Sequence, residues 1–178
     1  MQNIMSTATQ PENLRLFYAL WPDQATRSAL ARLQAGMAGR PVQAGNLHLT
    51  LAFLGMQSRA LLPQLEQILS QLASPVIELA VDRLGYFPKH KIAWAGMQQM
   101  PEPLAILQQG LSTALLQQQI SFDQQSRFQP HITLARAALM PPECTCTPII
   151  WRADHLALVQ STTRADGPQY RILASRRF

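Results

Sequence analysis

One four-residue pattern, His-apolar-Thr-Leu, occurs twice in this chain: His48-Leu49-Thr50-Leu51 and His131-Ile132-Thr133-Leu134, 83 positions apart. Each copy lies in an apolar setting, Leu47 to Leu54 and Phe128 to Ala135, that reads as a β-strand. Residues i and i+2 of a strand share a face. His48 and Thr50 therefore point one way and Leu49 and Leu51 the other, and the second copy repeats the arrangement. The leucine sides need a core to bury against, and the opposite sides offer an imidazole and a hydroxyl. If the two strands are neighbours, both histidines face one pocket. A lone His-x-Thr is expected by chance in many chains of this size and reads as an ordinary strand histidine. A matched pair is poorly explained that way.

The rest of the chain arranges itself around these strands. Leu14 to Leu20 reads as a strand ended by Trp21-Pro22-Asp23, and Asp23 is placed to cap a helix running to about Met37. Val42 to Asn46 is a loop, and Gly55 stops the first His strand. Ser58 to Leu72 has apolar residues at helical spacing. Val76 to Leu84 and Ile92 to Met97 read as strands joined through Gly85-Tyr86-Phe87-Pro88 and a Lys-His-Lys turn. Pro101 opens a helix with Leu104, Leu107, Leu111, Leu115 and Leu116 on one face. After the second His strand, Pro141 to Pro148 is a loop. Ile149 to Ser161 and Tyr170 to Ser175 close the chain around an Asp166-Gly167-Pro168 turn. A unit of helix followed by His strand thus recurs after about 80 residues, too long for a solenoid repeat. The expected fold is α+β: two pseudo-symmetric lobes, each a mostly antiparallel sheet with outer helices, flanking a central cleft.

At 178 residues, with 47% hydrophobic and 14% charged, the chain suits a single domain over residues 12–178, with residues 1–11 as a loose N-terminal extension. A net charge of +5 favours anionic partners, although no dense Lys/Arg run marks a nucleic-acid-binding tail. No apolar run has transmembrane length and the first residues lack a signal-peptide pattern, so no membrane association and a cytoplasmic location are expected. Cys144 and Cys146 are one residue apart, too close for an unstrained bridge, and are expected as reduced thiols.

The His-Thr pairs carry the chemistry. Imidazole titrates near neutral pH, so one histidine can take a proton from water while the other gives one to a leaving oxygen. Threonine hydroxyls can hydrogen-bond the non-bridging oxygens of a phosphate in its transition state. This set suits metal-free cleavage of a strained cyclic phosphodiester. No CxxC, HExxH, glycine-rich phosphate loop or dinucleotide fingerprint is present, so neither metal nor cofactor is expected.

Together with the stretches LRLFYALWP, NLHLTLAFLG, LGYFPKHKIAWAG and RFQPHITLAR, the HLTL and HITL motifs resemble the 2H phosphoesterase superfamily, and within it the bacterial RNA 2′,3′-cyclic phosphodiesterases, also called 2′-5′ RNA ligases. The resemblance covers nearly the whole chain from Leu14. It implies hydrolysis of a 2′,3′-cyclic phosphate, on RNA 3′ ends or nucleotides, to a 2′-phosphomonoester. By carry-over, His48 is the proton donor, His131 the proton acceptor, and Thr50 and Thr133 hold the phosphate. The family and the chain length suggest a monomer.

The family also implies a basic residue just after the second motif, here Arg136. Its strand parity opposes that of His131 and Thr133, so it reaches the cleft only if the strand ends or bulges near Ala135. Phe53, at the matching place in the first motif, is expected in the core. Arg127, Phe128 and Tyr86 are further candidates for substrate contact, Tyr86 and Phe87 as base-stacking groups. His90 is expected in an exposed turn and His155 as a structural histidine. Weak reverse ligation to a 2′-5′ linkage follows from microscopic reversibility. Two rival readings are a non-catalytic nucleotide- or RNA-binding module on the same fold and a phosphodiesterase for 2′-5′ oligonucleotides.

Overall fold

The computed structural model describes residues 12–73, 76–124, 127–141, 147–165 and 167–178. The expectations for residues 1–11 and for Cys144 and Cys146 fall outside this set. Ten strands are described: β1 (Asn13–Leu20), β2 (Arg40–Pro41), β3 (Leu49–Ser58), β4 (Ile77–Val81), β5 (Arg83–Phe87), β6 (Ile92–Gly96), β7 (His131–Arg136), β8 (Ile149–Ala153), β9 (His155–Arg164) and β10 (Gly167–Arg177). Three helices accompany them: α1 (Gln24–Leu33), α2 (Leu62–Gln71) and α3 (Glu102–Gln117).

Local chemistry accounts for the helix ends. The Asp23 carboxylate accepts the Thr26 amide at 2.7 Å and caps α1. The helix stops at Leu33, short of the expected Met37, and the Gln34 side chain just beyond it is used elsewhere. A proline sits in the first turn of both α2 and α3, where its missing N–H costs nothing. Leu104, Leu107, Leu111 and Leu115 of α3 are buried as expected, whereas Leu116 falls off that stripe and is exposed.

The main sheet runs β10-β9-β1-β3-β7-β6-β5, with β2 added against β7, and all its pairings are antiparallel among the described residues. Two strands expected to be continuous are broken, at Asp82 and at Asp154. The pieces before these breaks, β4 and β8, leave the main sheet and pair with each other. This explains the recurring unit. Each half reads opening strand (β1, β6), helix (α1, α3), His strand (β3, β7), small-sheet strand (β4, β8) and closing strand (β5, β9). Each closing strand pairs with the opening strand of the other half, β5 with β6 and β9 with β1. The halves thus exchange their last strands around an approximate twofold relation that passes between β3 and β7. The ladder between those two central strands consists of one pair among the described residues, Leu49 with Ile132.

All three helices bury on the same side of the main sheet. Leu14, Leu16, Tyr18 and Leu20 of β1, Leu49 and Leu51 of β3, and Ile132 and Leu134 of β7 share one core with Leu30, Leu65, Leu69 and Leu107 of the helices. The Tyr18 hydroxyl donates to the Leu65 carbonyl at 2.7 Å, which satisfies a buried polar group and ties β1 to α2. The opposite face of the sheet carries both His-Thr pairs. Among the described residues, no helix is long and apolar enough to cross a membrane.

Candidate active site

The two motif strands share a distortion that determines which side chains meet. Along β1, Ala19 pairs with Thr50 and Tyr18 with Ala52, so Leu51 is skipped. Along β6, Trp94 pairs with Thr133 and Ala93 with Ala135, so Leu134 is skipped. Each skip is a β-bulge, in which one extra residue is left unpaired and the alternation behind it is reset. Leu51 and Ala52, then Leu134 and Ala135, are therefore consecutive buried side chains. The next residues, Phe53 and Arg136, return to the face of the histidines. The bulge that Arg136 needs thus exists, one residue before Ala135. Phe53, expected in the core, is instead half-buried against the cleft, with the Arg15 guanidinium 5.0 Å over its ring.

The cleft has two communicating arms. One, about 390 Å³, is lined by His48, Thr50, His131, Thr133 and Arg136 together with Arg15, Phe17 and Phe53. The other, about 350 Å³, shares His48, Thr133, Arg136 and Tyr170 and extends past Arg40, Gln43, Asn46 and Arg164. All five residues carried over from the family motif accordingly border one cavity.

The two imidazoles are held in the same way. His48 Nδ1 lies 2.6 Å from the Asn46 carbonyl and His131 Nδ1 lies 2.8 Å from the Gln129 carbonyl, in each case two residues upstream. A carbonyl oxygen can only accept, so each Nδ1 carries a proton and the neutral ring keeps its lone pair on Nε2. His48 Nε2 is 3.1 Å from Thr50 Oγ1, whose hydroxyl donates to it in the neutral state.

Aromatic rings enclose His48. It stacks on Phe17 at 4.9 Å and on Trp21 at 5.3 Å, and Tyr170 meets it edge-on at 5.1 Å. His131 meets Phe87 edge-on at 5.0 Å. This apolar packing pushes the His48 pKa down to about 4, chiefly by loss of water; the Asn46 carbonyl opposes the shift, while His131 and the Arg136 guanidinium add to it. Burial also lowers the His131 pKa, with Arg136 adding to the effect and the Gln129 carbonyl opposing it. Both rings are neutral at pH 7 in the free protein. Arg136 acts on both, so its charge lies near both rings at the wall of the same cavity.

Three candidates for substrate contact lie elsewhere. Tyr86 packs on Ala93, Ala135 and Ala138 and donates its hydroxyl to the Ala138 carbonyl at 2.9 Å, so it anchors the end of β7. Phe128 packs on the core, and Arg127 is exposed. None of the three lines either arm. His90 is exposed as expected, and the carbonyl of half-buried His155 accepts the Trp21 amide.

Sequence reasoning missed Phe17, Trp21, Tyr170, Arg15 and Arg40. One signal existed for the first two: Leu14 to Trp21 is apolar at nearly every position, which marks a strand covered on both faces. Leu16, Tyr18 and Leu20 cover the core side, leaving Phe17, Ala19 and Trp21 for the cleft.

Comparison with known proteins returns related enzymes. Residues 20–94 match the family model described as LigT like Phosphoesterase. The RNA 2′,3′-cyclic phosphodiesterase of Escherichia coli strain K12 is 34% identical over 139 residues, 74% of this chain and 78% of that protein. The enzyme of the same name from Thermus thermophilus is 30% identical over 177 residues, 90% of this chain and 88% of that one. The crystal structure of E. coli LigT in apo form superposes with a TM-score of 0.80 at 29% identity, covering 94% of this chain and 98% of the other. The same E. coli protein has been crystallised with 3′-AMP.

Proposed function

The chain belongs to the LigT-like phosphoesterases of the 2H superfamily, and from that premise we propose that it is an RNA 2′,3′-cyclic phosphodiesterase working through His48 and His131. The observation that carries this reading is the matched tethering of the two imidazoles. Both Nδ1–H groups are committed to upstream carbonyls, so each ring turns its Nε2 to a cavity that also holds Thr50, Thr133 and Arg136, with His48 Nε2 accepting the Thr50 hydroxyl until it is protonated.

In the proposed reaction, the cyclic phosphate lies between the two motifs. Arg136 and the threonine hydroxyls hold its non-bridging oxygens. His131 Nε2 accepts a proton as water attacks phosphorus. The bond from phosphorus to the 3′ oxygen breaks, and His48 Nε2–H supplies the proton to that oxygen. The product is a 2′-phosphomonoester with a free 3′-hydroxyl. His48 is neutral in the free protein, so the acid must be loaded. The bound anion supplies the attraction that does so, offsetting Arg136 and the lost water. A 5′-hydroxyl in place of water opens the same ring, with the same P–O3′ bond broken, and gives a 2′-5′ linkage; this ligation is expected to be weak because water has free access to an open cleft.

The test is turnover of a nucleoside 2′,3′-cyclic phosphate in EDTA, with the position of the product phosphate determined. A 2′-phosphate product from the wild type is expected, with turnover about two to four orders of magnitude lower in His48→Ala and in His131→Ala. Near-normal turnover by either folded variant would overturn the assignment.

A further inference from the structure

Past His48 the second arm of the cleft is strongly cationic. Arg40 of β2 pairs with Arg136 of β7, so the two guanidinium groups leave the same face of the sheet from directly opposed positions. Like charges so placed repel. Arg164, at the end of β9, lines the same arm from the other side. The remaining polar side chains on its wall are Gln43, Asn46 and Gln169, besides His48, Thr133 and Tyr170 of the shared region; no carboxylate is among the described lining residues.

The opposed arginines are built into the fold. Gly39, immediately before Arg40, has φ +108°, a conformation open to glycine. A β-carbon there would lie 2.7 Å from the Arg136 carbonyl oxygen and 2.8 Å from the Ala138 α-carbon. Only glycine lets this short strand lie so close against β7. On the far side of the same strand pair, the Gln34 amide donates to the Val42 and Leu134 carbonyls at 2.8 Å each. A close backbone approach, a forced backbone angle and a like-charge pair are all accepted at one place facing the cleft, and an anion between the guanidiniums would relieve the repulsion.

We infer that Arg40 and Arg164 form a second phosphate subsite for the phosphate on O5′ of the terminal nucleotide, so that a cyclic phosphate carrying this preceding phosphate is preferred over a bare nucleoside cyclic phosphate. This rests on the cyclic phosphodiesterase reading above. Arg136 is shared: it touches the cyclic phosphate in one arm and faces the preceding phosphate in the other. An RNA strand whose 3′ end lies at the histidines has its next phosphate one nucleoside away, and this arm opens from His48 in the polar, cationic direction.

Three substrates separate the contributions: adenosine 2′,3′-cyclic phosphate, the same nucleotide with a 5′-phosphate, and the dinucleotide ApA ending in a 2′,3′-cyclic phosphate. The wild type should have kcat/KM higher by about tenfold or more for both phosphate-bearing substrates, the scale of one charge-assisted contact. In Arg40→Ala and Arg164→Ala that ratio should fall toward one. Because the readout is a ratio within each variant, a general loss of activity does not mimic it. Equal kcat/KM for all three substrates, or a gain only with the second nucleoside, would overturn the subsite and leave the cyclic phosphodiesterase reading intact. No turnover of any of the three would count against that reading itself.

Discussion

At the scale of single residues, the site joins two opposing demands on an imidazole. His48 is stacked and dried by Phe17, Trp21 and Tyr170, which favours the neutral ring, yet the proposed acid must be protonated. A bound anion reconciles them, and this makes protonation a property of the complex. Sulfate is a suitable probe because its own charge is constant over the range. Its binding should draw a proton onto a histidine whose free pKa is about 4, so affinity should strengthen as pH falls from 7 toward 5, by up to about tenfold per pH unit for one proton taken up. Calorimetric titration at a series of pH values measures this, and His48→Gln should flatten the dependence. A pH-independent sulfate affinity in the wild type would remove the loading step. The Thr50 hydroxyl, 3.1 Å from His48 Nε2, belongs to the same account. Thr50→Val keeps the shape and should lower turnover about tenfold, the scale of one hydrogen bond to a charged group.

At the scale of elements, the bulges at Leu51 and Leu134 decide what the cleft contains. The pairing of His with Thr on one face and of Leu with Leu on the other was legible in the sequence, because a period of two is local. The bulges were not, because a bulge is defined by the partner strand: Leu134 is extra only with respect to Trp94 and Ala93. Strict alternation therefore sent Arg136 away and gave no reason to bring Phe53 in. The repeat itself held a hint, since Leu-Ala follows Thr in both copies and both residues are buried both times. Gln34 is the side chain placed to hold the second bulge, through the Leu134 and Val42 carbonyls. Removing it leaves the Val42 carbonyl without that donor. Gln34→Ala should cost about 1–3 kcal/mol of stability in urea denaturation and weaken sulfate binding. If it acts by positioning Arg136, the loss of sulfate affinity should vanish in an Arg136→Ala background, whereas a persistent loss would assign Gln34 to the fold alone.

At the scale of the molecule, the α+β class and the recurring unit were visible from the spacing of the motifs. The exchange of closing strands between halves was not. Which sheet edge a strand joins is settled by contacts distant in sequence, and β9 looks no different alone whether it pairs with β1 or elsewhere. The exchange brings Ser161 and Thr163 of β9 and Tyr170 of β10 over the first motif, so strands from the end of the chain are needed to enclose His48. That enclosure has a cost set by pH. The His48 pKa is pushed down to about 4 and that of His131 is lowered as well, so the unfolded chain binds more protons below pH 6.5, at the His48 position down to about pH 4. Stability must then rise with pH through that window and be lost on acidification, by at most about 1.4 kcal/mol per pH unit for each proton the fold excludes, and by less at half-exposed His131. Urea midpoints of the wild type should therefore fall from pH 7 to pH 5 by more than those of the His48→Gln/His131→Gln double variant, which has no charge to gain at either position. Equal falls would mean that the histidines meet water in the folded protein and that burial does not keep them neutral.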